Sequence, residues 1–433
     1  MLNFSLSIIA FLSNLYLPLL RFYKDPTRRD IEIIELLYRR VTALGVTDPK
    51  RMFIEGMYLF RKIGRFDIMK MENGVAYLVG GSPFMSWSGV SLRLARKALE
   101  TIKAKIDRED KRVMLYYAGA EILYVSLKGD CWKGMEYDEV LVDAGTCRGE
   151  FFWAAIYTYW HGYIDIERGQ FSDAQQKIAK LDRIAEEYDN NYSRVLKYAL
   201  NVVFLTKSCN YLEAIDESDR GIKFGLRVGL GIWAFSMYSF KARVQALCDD
   251  MIGAEKSLNL ARQLKTEINV VPCYFSSFLL SEFIIDFHRI SEARLNQSKL
   301  EVNKAKRIAI RSAIKAVKAS RKMAPERSET YRLMGSLFLL NGKTAKAMKW
   351  WNRAIREGER LGASLELAKT YAEVGKELVR NRESNITLNG IVGKDYLKMA
   401  RNKFEEMKLN RFLDEVDILN SCSDVHKEDD KNE

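Results

Sequence analysis

Proline, histidine and cysteine are scarce in this chain of 433 residues, which contains six prolines, three histidines and six cysteines. Few prolines among many Leu, Ala, Lys, Arg and Glu residues favour helices over sheets. The cysteines stand at positions 131, 147, 209, 248, 273 and 422, with no close pair. This spacing excludes a disulfide framework and indicates a reducing, cytoplasmic compartment. The dispersed histidines predict no metal site, and we expect no cofactor.

Catalytic motifs are also missing from the sequence. It contains neither a nucleophile elbow nor a His-Glu-x-x-His zinc motif. The run Asn341-Gly342-Lys343-Thr344 resembles the end of a phosphate-binding loop, but such a loop requires glycine where this chain has Leu337. We therefore predict that the chain is not an enzyme.

Long uncharged runs are rare, and the clearest one covers residues 2–20, followed by Arg21, Lys24, Arg28 and Arg29. A membrane segment with a positive flank is one interpretation. However, serine, asparagine and proline interrupt the run. Its large side chains fall on one helical stripe, which favours a buried amphipathic helix over a membrane segment. That stripe consists of Ile8, Ile9, Leu12, Leu15, Tyr16 and Leu19.

Small residues recur at one spacing in the middle of the chain. Gly134, Ala174, Ala214 and Ala254 are each 40 residues apart. Five residues before each of them stands a candidate turn position, namely Gly129, Gly169, Cys209 and Asp249. A repeated small residue is typical of two helices that cross closely within a hairpin. We predict that the four small residues occupy equivalent buried helix crossings.

A second pattern, with a shorter period, lies nearer the C-terminus. It resembles the tetratricopeptide unit almost position for position over residues 328–361, and Ala313 precedes Ala347 by 34 residues, the period of that repeat class. The resemblance implies an all-α fold of helical hairpins stacked into a right-handed superhelix. The residues of this unit that we expect to pack the repeat are Tyr331, Met334, Gly335, Phe338, Gly342, Ala347, Trp351 and Ala354.

These patterns suggest four regions. Residues 1–90 form N-terminal helices, divergent repeats or the end of an upstream domain. Residues 91–270 hold repeats of about 40 residues, and residues 271–420 hold tetratricopeptide repeats. The polar residues 421–433 are expected to be a disordered tail.

The run from Ala305 to Val416 also resembles the C-terminal repeat region of large bacterial signalling ATPases, in which a cyclase or kinase precedes an AAA-type ATPase. This resemblance implies a sensing or partner-binding arm. The cyclase, kinase and ATPase parts are absent from the sequence. We therefore expect either a fragment of a longer product or a repeat protein that acts alone.

The net charge of +12 is concentrated in one region, since residues 291–360 hold 18 Lys/Arg and only 6 Asp/Glu. Within that region six cations step by three or four positions and so share one helix face. They are Lys304, Arg307, Arg311, Lys315, Lys318 and Lys322. Three interpretations stay open: a solvated outer face, a site for an acidic protein partner, or a surface for nucleic acid or anionic membrane.

The leading functional prediction is a protein-interaction scaffold whose concave groove binds a peptide or helix of a partner. One alternative is a regulatory segment of a signalling ATPase, cyclase or kinase, and another is binding of nucleic acid or an anionic surface through the basic helix. Nucleic acid and membrane are the less favoured partners. The first helix of each hairpin is expected to line the groove, and the position within the repeat suggests these groove residues: Tyr198, Asn201, Tyr238, Lys241, Arg327 and Arg332.

Overall fold

The computed structural model describes residues 2–17, 23–71, 73–130, 132, 134–295, 299–380 and 387–418. Within these ranges β pairing is limited to two isolated bridges, Lys24 with Phe66 and Leu388 with Ile391. Helices account for nearly everything else, and they pack in adjacent pairs. The predicted all-α fold of helical hairpins is therefore confirmed.

Six helices form an N-terminal block that precedes the regular hairpins. Local signals fix their ends: Thr27 and Asp30 form a capping box, and Asp48 caps a helix that begins with Pro49. A short 3-10 turn, Ile68–Lys70, lies inside the block. The helices are α1 (Leu2–Tyr16), α2 (Arg28–Thr47), α3 (Pro49–Ile63), α4 (Gly74–Val79), α5 (Gly81–Trp87) and α6 (Leu92–Lys103).

Helix α1 packs on α3 through part of the predicted stripe, since Leu15 is buried and Ile8 and Leu12 are partly buried against the core. Phe11 and Leu15 are buried together with Ser7, whereas Ile9 and Tyr16 are 60% and 55% exposed. The packed face therefore keeps Ile8, Leu12 and Leu15 of the predicted stripe, adds Ser7 and Phe11, and leaves out Ile9 and Tyr16. No helix in the described parts of the chain is long and apolar enough to cross a membrane, and residues 18–20 lie outside them.

The following helices form consecutive hairpins, each with a first and a second helix. The first helices are α7 (Lys111–Lys128), α9 (Phe151–Arg168), α11 (Asn191–Lys207), α13 (Gly231–Leu247), α15 (Pro272–Leu295), α17 (Arg327–Leu340) and α19 (Ser364–Arg380). The second helices are α8 (Glu139–Cys147), α10 (Phe171–Glu187), α12 (Tyr211–Arg227), α14 (Met251–Glu267), α16 (Lys299–Ser320), α18 (Thr344–Leu361) and α20 (Gly393–Glu406). A 3-10 turn, Ala324–Glu326, precedes α17, and residues 410–418 are also helical.

The period of 40 residues is exact for the starts of the three hairpins α9/α10, α11/α12 and α13/α14. Ala174, Ala214 and Ala254 occupy the same place on their second helices, and each is fully buried. The turn before each of them contains a residue with positive φ, at +77° for Gly169, +65° for Cys209 and +60° for Asp249. The left-handed turn is thus kept even where glycine is replaced.

Gly134 is the exception, and its predicted place at a buried crossing is wrong. It lies in an exposed turn with φ of +81°, and nothing lies within 4 Å of the position that a Cβ would take. The turn at Gly129 is present, with φ of +77°. The chain then runs towards α18, where the backbone N–H of Trp132 donates to the carbonyl of Leu361 at 3.3 Å. Helix α8 begins only at Glu139, so no helix is available at position 134.

The tetratricopeptide unit corresponds to α17 and α18. Ala347, Trp351 and Ala354 are buried, as is Ala313 one unit earlier, and Met334 is 5% exposed. Gly335 faces Trp351 so closely that a methyl group there would lie 2.5 Å from the indole. Tyr331 and Phe338 are half-buried, and the ring of Tyr331 packs at a tilt against Trp350, with 5.5 Å between ring centres. Gly342 takes a φ of +71° in the turn.

The array bends until its late hairpins touch its early ones. Helix α19 contacts α9, and the side chain of Met407 lies against Gly169, where a Cβ would come within 2.3 Å of its sulfur. The guanidinium of Arg360 donates to the carbonyl of Gly129. These contacts join residues more than two hundred positions apart. The array is therefore closed on itself around a central space. The predicted tail, residues 421–433, lies outside the described residues.

Candidate partner-binding groove

A groove with a volume of about 740 Å³ lies on the inner side of the closed array. Five first helices, α11, α13, α15, α17 and α19, contribute most of its lining, and the stretch after α20 adds one wall. Successive first helices face the same side because each hairpin repeats the orientation of the one before it. The groove is therefore a product of the repeat, and no single element contains it.

The walls of the groove are apolar. Most of the apolar side chains in the walls are only partly buried, so apolar surface is left facing the groove and can be covered by a ligand. These side chains are Leu247, Ile284, Phe287, Leu333, Leu339, Leu340, Phe404, Phe412, Val416 and Ile418.

The floor of the groove is charged and centres on Lys207, at the end of α11. This lysine is 4% exposed. Its Nζ lies 3.2 Å from Glu167 of α9, 3.1 Å from Glu329 of α17 and 3.1 Å from Glu366 of α19. A buried ammonium requires such partners because an unpaired buried charge is very costly. One side chain on α11 thus joins α9 to α17 and α19.

Arg332 extends the charged floor along α17. Its Nε lies 3.0 Å from Glu366, and its Nη1 lies 2.5 Å from Glu373. Glu373 also accepts hydrogen bonds from the hydroxyl of Ser336 and, at 3.2 Å, from the indole of Trp351. Both ends of this arginine are therefore held by α19, which fixes α17 and α19 relative to each other.

Arg243 of α13 is the least satisfied cation of the floor. It is 2% exposed and lies over the ring of Phe240 at 4.8 Å. Its nearest carboxylates are longer contacts, 3.5 Å to Glu329 and 3.8 Å to Glu326. Its Nε and Nη2 have no hydrogen-bond partner among the described residues. Glu326 instead accepts a hydrogen bond from Ser277 of α15.

The three carboxylates around Lys207 do not share one ionisation behaviour. Burial raises the pKa of Glu167 to about 7, because Lys207 only partly offsets the loss of water and Glu366 and Glu329 add repulsion. Burial acts in the same direction on Glu366, but Lys207, Lys369 and Arg332 outweigh it and hold its pKa well below the usual range. The pKa of Glu329 is also lowered, with burial outweighed by Lys207 and Arg243.

Of the six groove residues suggested by the sequence, only Arg332 lines the groove. Asn201 donates to Glu217 at 2.8 Å and Lys241 to Asp219 at 2.6 Å, both on the second helix α12. Tyr198 packs on Phe224 of the same helix, and Arg327 donates to Glu357 of α18. Tyr238 does not line the groove either. Four of the six side chains therefore contact second helices, and the groove face of α11 and α13 begins at Thr206 and Arg243.

The basic residues predicted on one stripe lie elsewhere. All six are exposed and none lines the groove; they are Lys304, Arg307, Arg311, Lys315 and Lys318 on the second helix α16, and Lys322 just after its end. Lys322 donates to the carbonyl of Gly89 at 2.7 Å, and Lys315 lies 4.0 Å from Glu282. The described residues contain no group of three or more His, Cys, Asp or Glu side chains that could hold a metal ion.

Comparison with known proteins identifies no family for this chain. No protein-family model matches the chain, and no curated protein matches it. One similar solved structure is described as "Crystal Structure of Rap Protein Complexed with Competence and Sporulation Factor"; it has 12% identity and a TM-score of 0.40, over 81% of this chain and 99% of that chain. A likeness this weak carries no argument, so the fold assignment rests on the structure itself. The resemblance to signalling ATPases finds no support among these comparisons and stays a prediction.

Proposed function

We propose that this chain is a protein-interaction scaffold that binds a short segment of a partner protein in the groove, without catalysis. The observation that carries the proposal is a concave space with apolar walls and a charged floor, built from successive first helices. Its volume of about 740 Å³ falls within the range of about 300–1,000 Å³ typical of sites that enclose a ligand. Such a space suits a peptide or one face of a helix, and it is too small for a globular surface.

The lining indicates the chemistry of the occupant. Apolar side chains of the bound segment would pack against Phe287, Leu333 and Phe412. Polar groups would meet the rim, where Lys376 and Arg380 are exposed on α19. Lys207 and Arg332 of the floor are already held in ion pairs, so these two side chains position the walls more than they contact the ligand. We therefore expect apolar anchors to dominate the affinity, as they do in other helix-in-groove complexes.

A displayed library of random peptides about 12 residues long, which reach about 40 Å when extended, tests the proposal. Peptides selected on the wild-type chain are measured against Ala372→Trp, which adds an indole on the groove side of α19. We expect their affinity to fall at least about tenfold, or 1.4 kcal/mol. The matched control is Ala345→Trp on the exposed side of α18, which should change affinity less than about twofold.

Circular dichroism and urea unfolding first establish that both variants fold. Peptides that bind Ala372→Trp as tightly as they bind the wild type would place their site outside the groove. That result, or failure to select any peptide, would refute the proposal.

A further inference from the structure

Two second helices, α16 and α18, carry most of the excess positive charge of the chain. Fourteen cations are exposed on these helices or within two residues of their ends, and the acidic residues among them are few. On α16 the one acidic residue is Glu301, in the first turn. Eleven of them form two rows: Lys304, Arg307, Arg311, Lys315, Lys318 and Lys322 on or just after α16, and Lys343, Lys346, Lys349, Arg353 and Arg356 on or just before α18. We call this set the basic face.

The repeat places both rows on the same side of the array. Ala313 and Ala347 are equivalent positions, 34 residues apart and both fully buried. Lys315 and Lys349 each follow them by two residues, and Lys322 and Arg356 each follow by nine. Equivalent positions in consecutive hairpins point the same way, so the two rows form one surface. This surface belongs to second helices, whereas the groove is lined mainly by first helices.

Few of these cations are neutralised by the protein. Lys315 reaches a carboxylate only at 4.0 Å, and no ion pair joins Arg311 or Lys318 to a carboxylate of the described residues. Arg353 lies over the ring of Trp350 at 4.6 Å, and no ion pair joins it to a carboxylate in the described parts of the chain. A surface of one sign attracts an acidic partner from a distance and speeds association.

An apolar edge runs beside the cations of α16. Ile314 is 56% exposed, and Ile310 and Val317, four positions before and three after it, are half-buried. These positions fall on one stripe of the helix, next to the charged stripe. Within α16, from Lys304 to Lys318, the charged stripe spans about 21 Å at 1.5 Å per residue. A straight row of this length with an apolar edge matches one face of another helix.

We propose that the basic face docks an acidic amphipathic helix of a partner protein. Carboxylates that step by three or four along that helix meet the cations at the same spacing, and its apolar edge packs on Ile314. A phosphate backbone would leave Ile314 without a contact. No aromatic side chain interrupts the cation stripe of α16 to stack with bases. This site is separate from the groove and adds a second interaction surface to the scaffold.

The probe is a fluorescein-labelled peptide about 20 residues long, about 30 Å as a helix, with glutamates at i, i+4 and i+7 and a leucine edge. We expect binding to the wild-type chain that weakens as salt is raised. The triple reversal Arg311→Glu, Lys315→Glu and Lys318→Glu should weaken it at least about tenfold. The control reverses three exposed cations outside the basic face, Lys50→Glu, Arg148→Glu and Lys223→Glu. This control has the same net charge and should bind within about twofold of wild type.

Several outcomes would overturn the proposal. Equal weakening in both triple variants would reduce the effect to net charge. Equal binding of a peptide with the same composition but scrambled order would remove the requirement for a helix. Tighter binding of a DNA duplex of equal length, or of phosphatidylserine vesicles, would assign the face to those partners. The groove variant Ala372→Trp should bind the probe normally, so this test can fail independently of the groove.

Discussion

Lys207 shows at the scale of one residue why the floor of the groove could not be read from the sequence. Its three carboxylate partners lie 40, 122 and 159 positions away in the chain. In sequence it follows the apolar run Val202–Leu205 and a threonine, where a charged residue is most simply interpreted as the end of a helix. The cluster of one buried cation and three carboxylates can be recognised only in the folded array, where distant hairpins come into contact.

The charge on Glu167 gives the first prediction at this scale. Its pKa of about 7 in the folded chain exceeds its usual value of 4.5, so between these pH values the folded state keeps a proton that the unfolded state has lost. Glu167 therefore contributes stability at low pH that is lost as the pH rises through this window. Glu167→Gln cannot titrate. We expect its free energy of unfolding, relative to wild type, to rise by about 3 kcal/mol between pH 4.5 and pH 8.

Urea unfolding at four pH values across this window measures the difference. Glu405→Gln, which changes an exposed carboxylate on α20, serves as the control and should give a constant difference. A flat profile for Glu167→Gln would mean that Lys207 keeps this carboxylate ionised throughout.

At the scale of the element, the small residue at each helix crossing is the feature that a mutation tests most directly. Ala347 is fully buried on α18, where a larger side chain has no space. Ala347→Leu should lower the free energy of unfolding by about 1–3 kcal/mol through overpacking. Lys346→Leu, one position away and exposed, should change it by less than about 0.5 kcal/mol. Equal midpoints in urea for the two variants would show that the crossing at Ala347 tolerates bulk.

The elements also show what a sequence pattern can and cannot predict. Spacing identified the turns at Gly169, Cys209 and Asp249, because a hairpin of fixed length repeats its backbone geometry whatever the side chain. The same spacing failed at Gly134, where contacts with α18 delay the next helix. It also could not decide which face of α1 packs or which residues of α11 and α13 meet the groove. The packed face of a helix depends on the neighbouring hairpins and therefore on the bending of the superhelix. The spacing of residues along the sequence contains no information about that bending.

At the scale of the whole molecule, the contact between Gly169 and Met407 joins the α9/α10 turn to the end of α20. Gly169→Ala should cost about 2–4 kcal/mol, since it combines a strained positive φ with overpacking against the methionine. Gly342→Ala has the same backbone strain with open space around it and should cost about 1–2 kcal/mol. The difference between the two variants in free energy of unfolding measures the contribution of the contact between Gly169 and Met407.

A double-mutant cycle isolates that contribution. In a Met407→Ala background the cost of Gly169→Ala should fall to that of Gly342→Ala, with a coupling of about 1–3 kcal/mol. Urea unfolding of the four chains provides the values. Additive effects would mean that the two ends of the array do not press on each other.

Closure also has a consequence for how such a chain can vary. An open repeat array can gain or lose a unit, because each unit contacts only its neighbours. Here the duplication or deletion of one hairpin between α9 and α19 would shift Glu366 and Arg332 by one repeat unit relative to Lys207. The shift would leave buried charges without partners. The number of hairpins in the ring is therefore a fixed property of this molecule, and variation in length is confined to its turns.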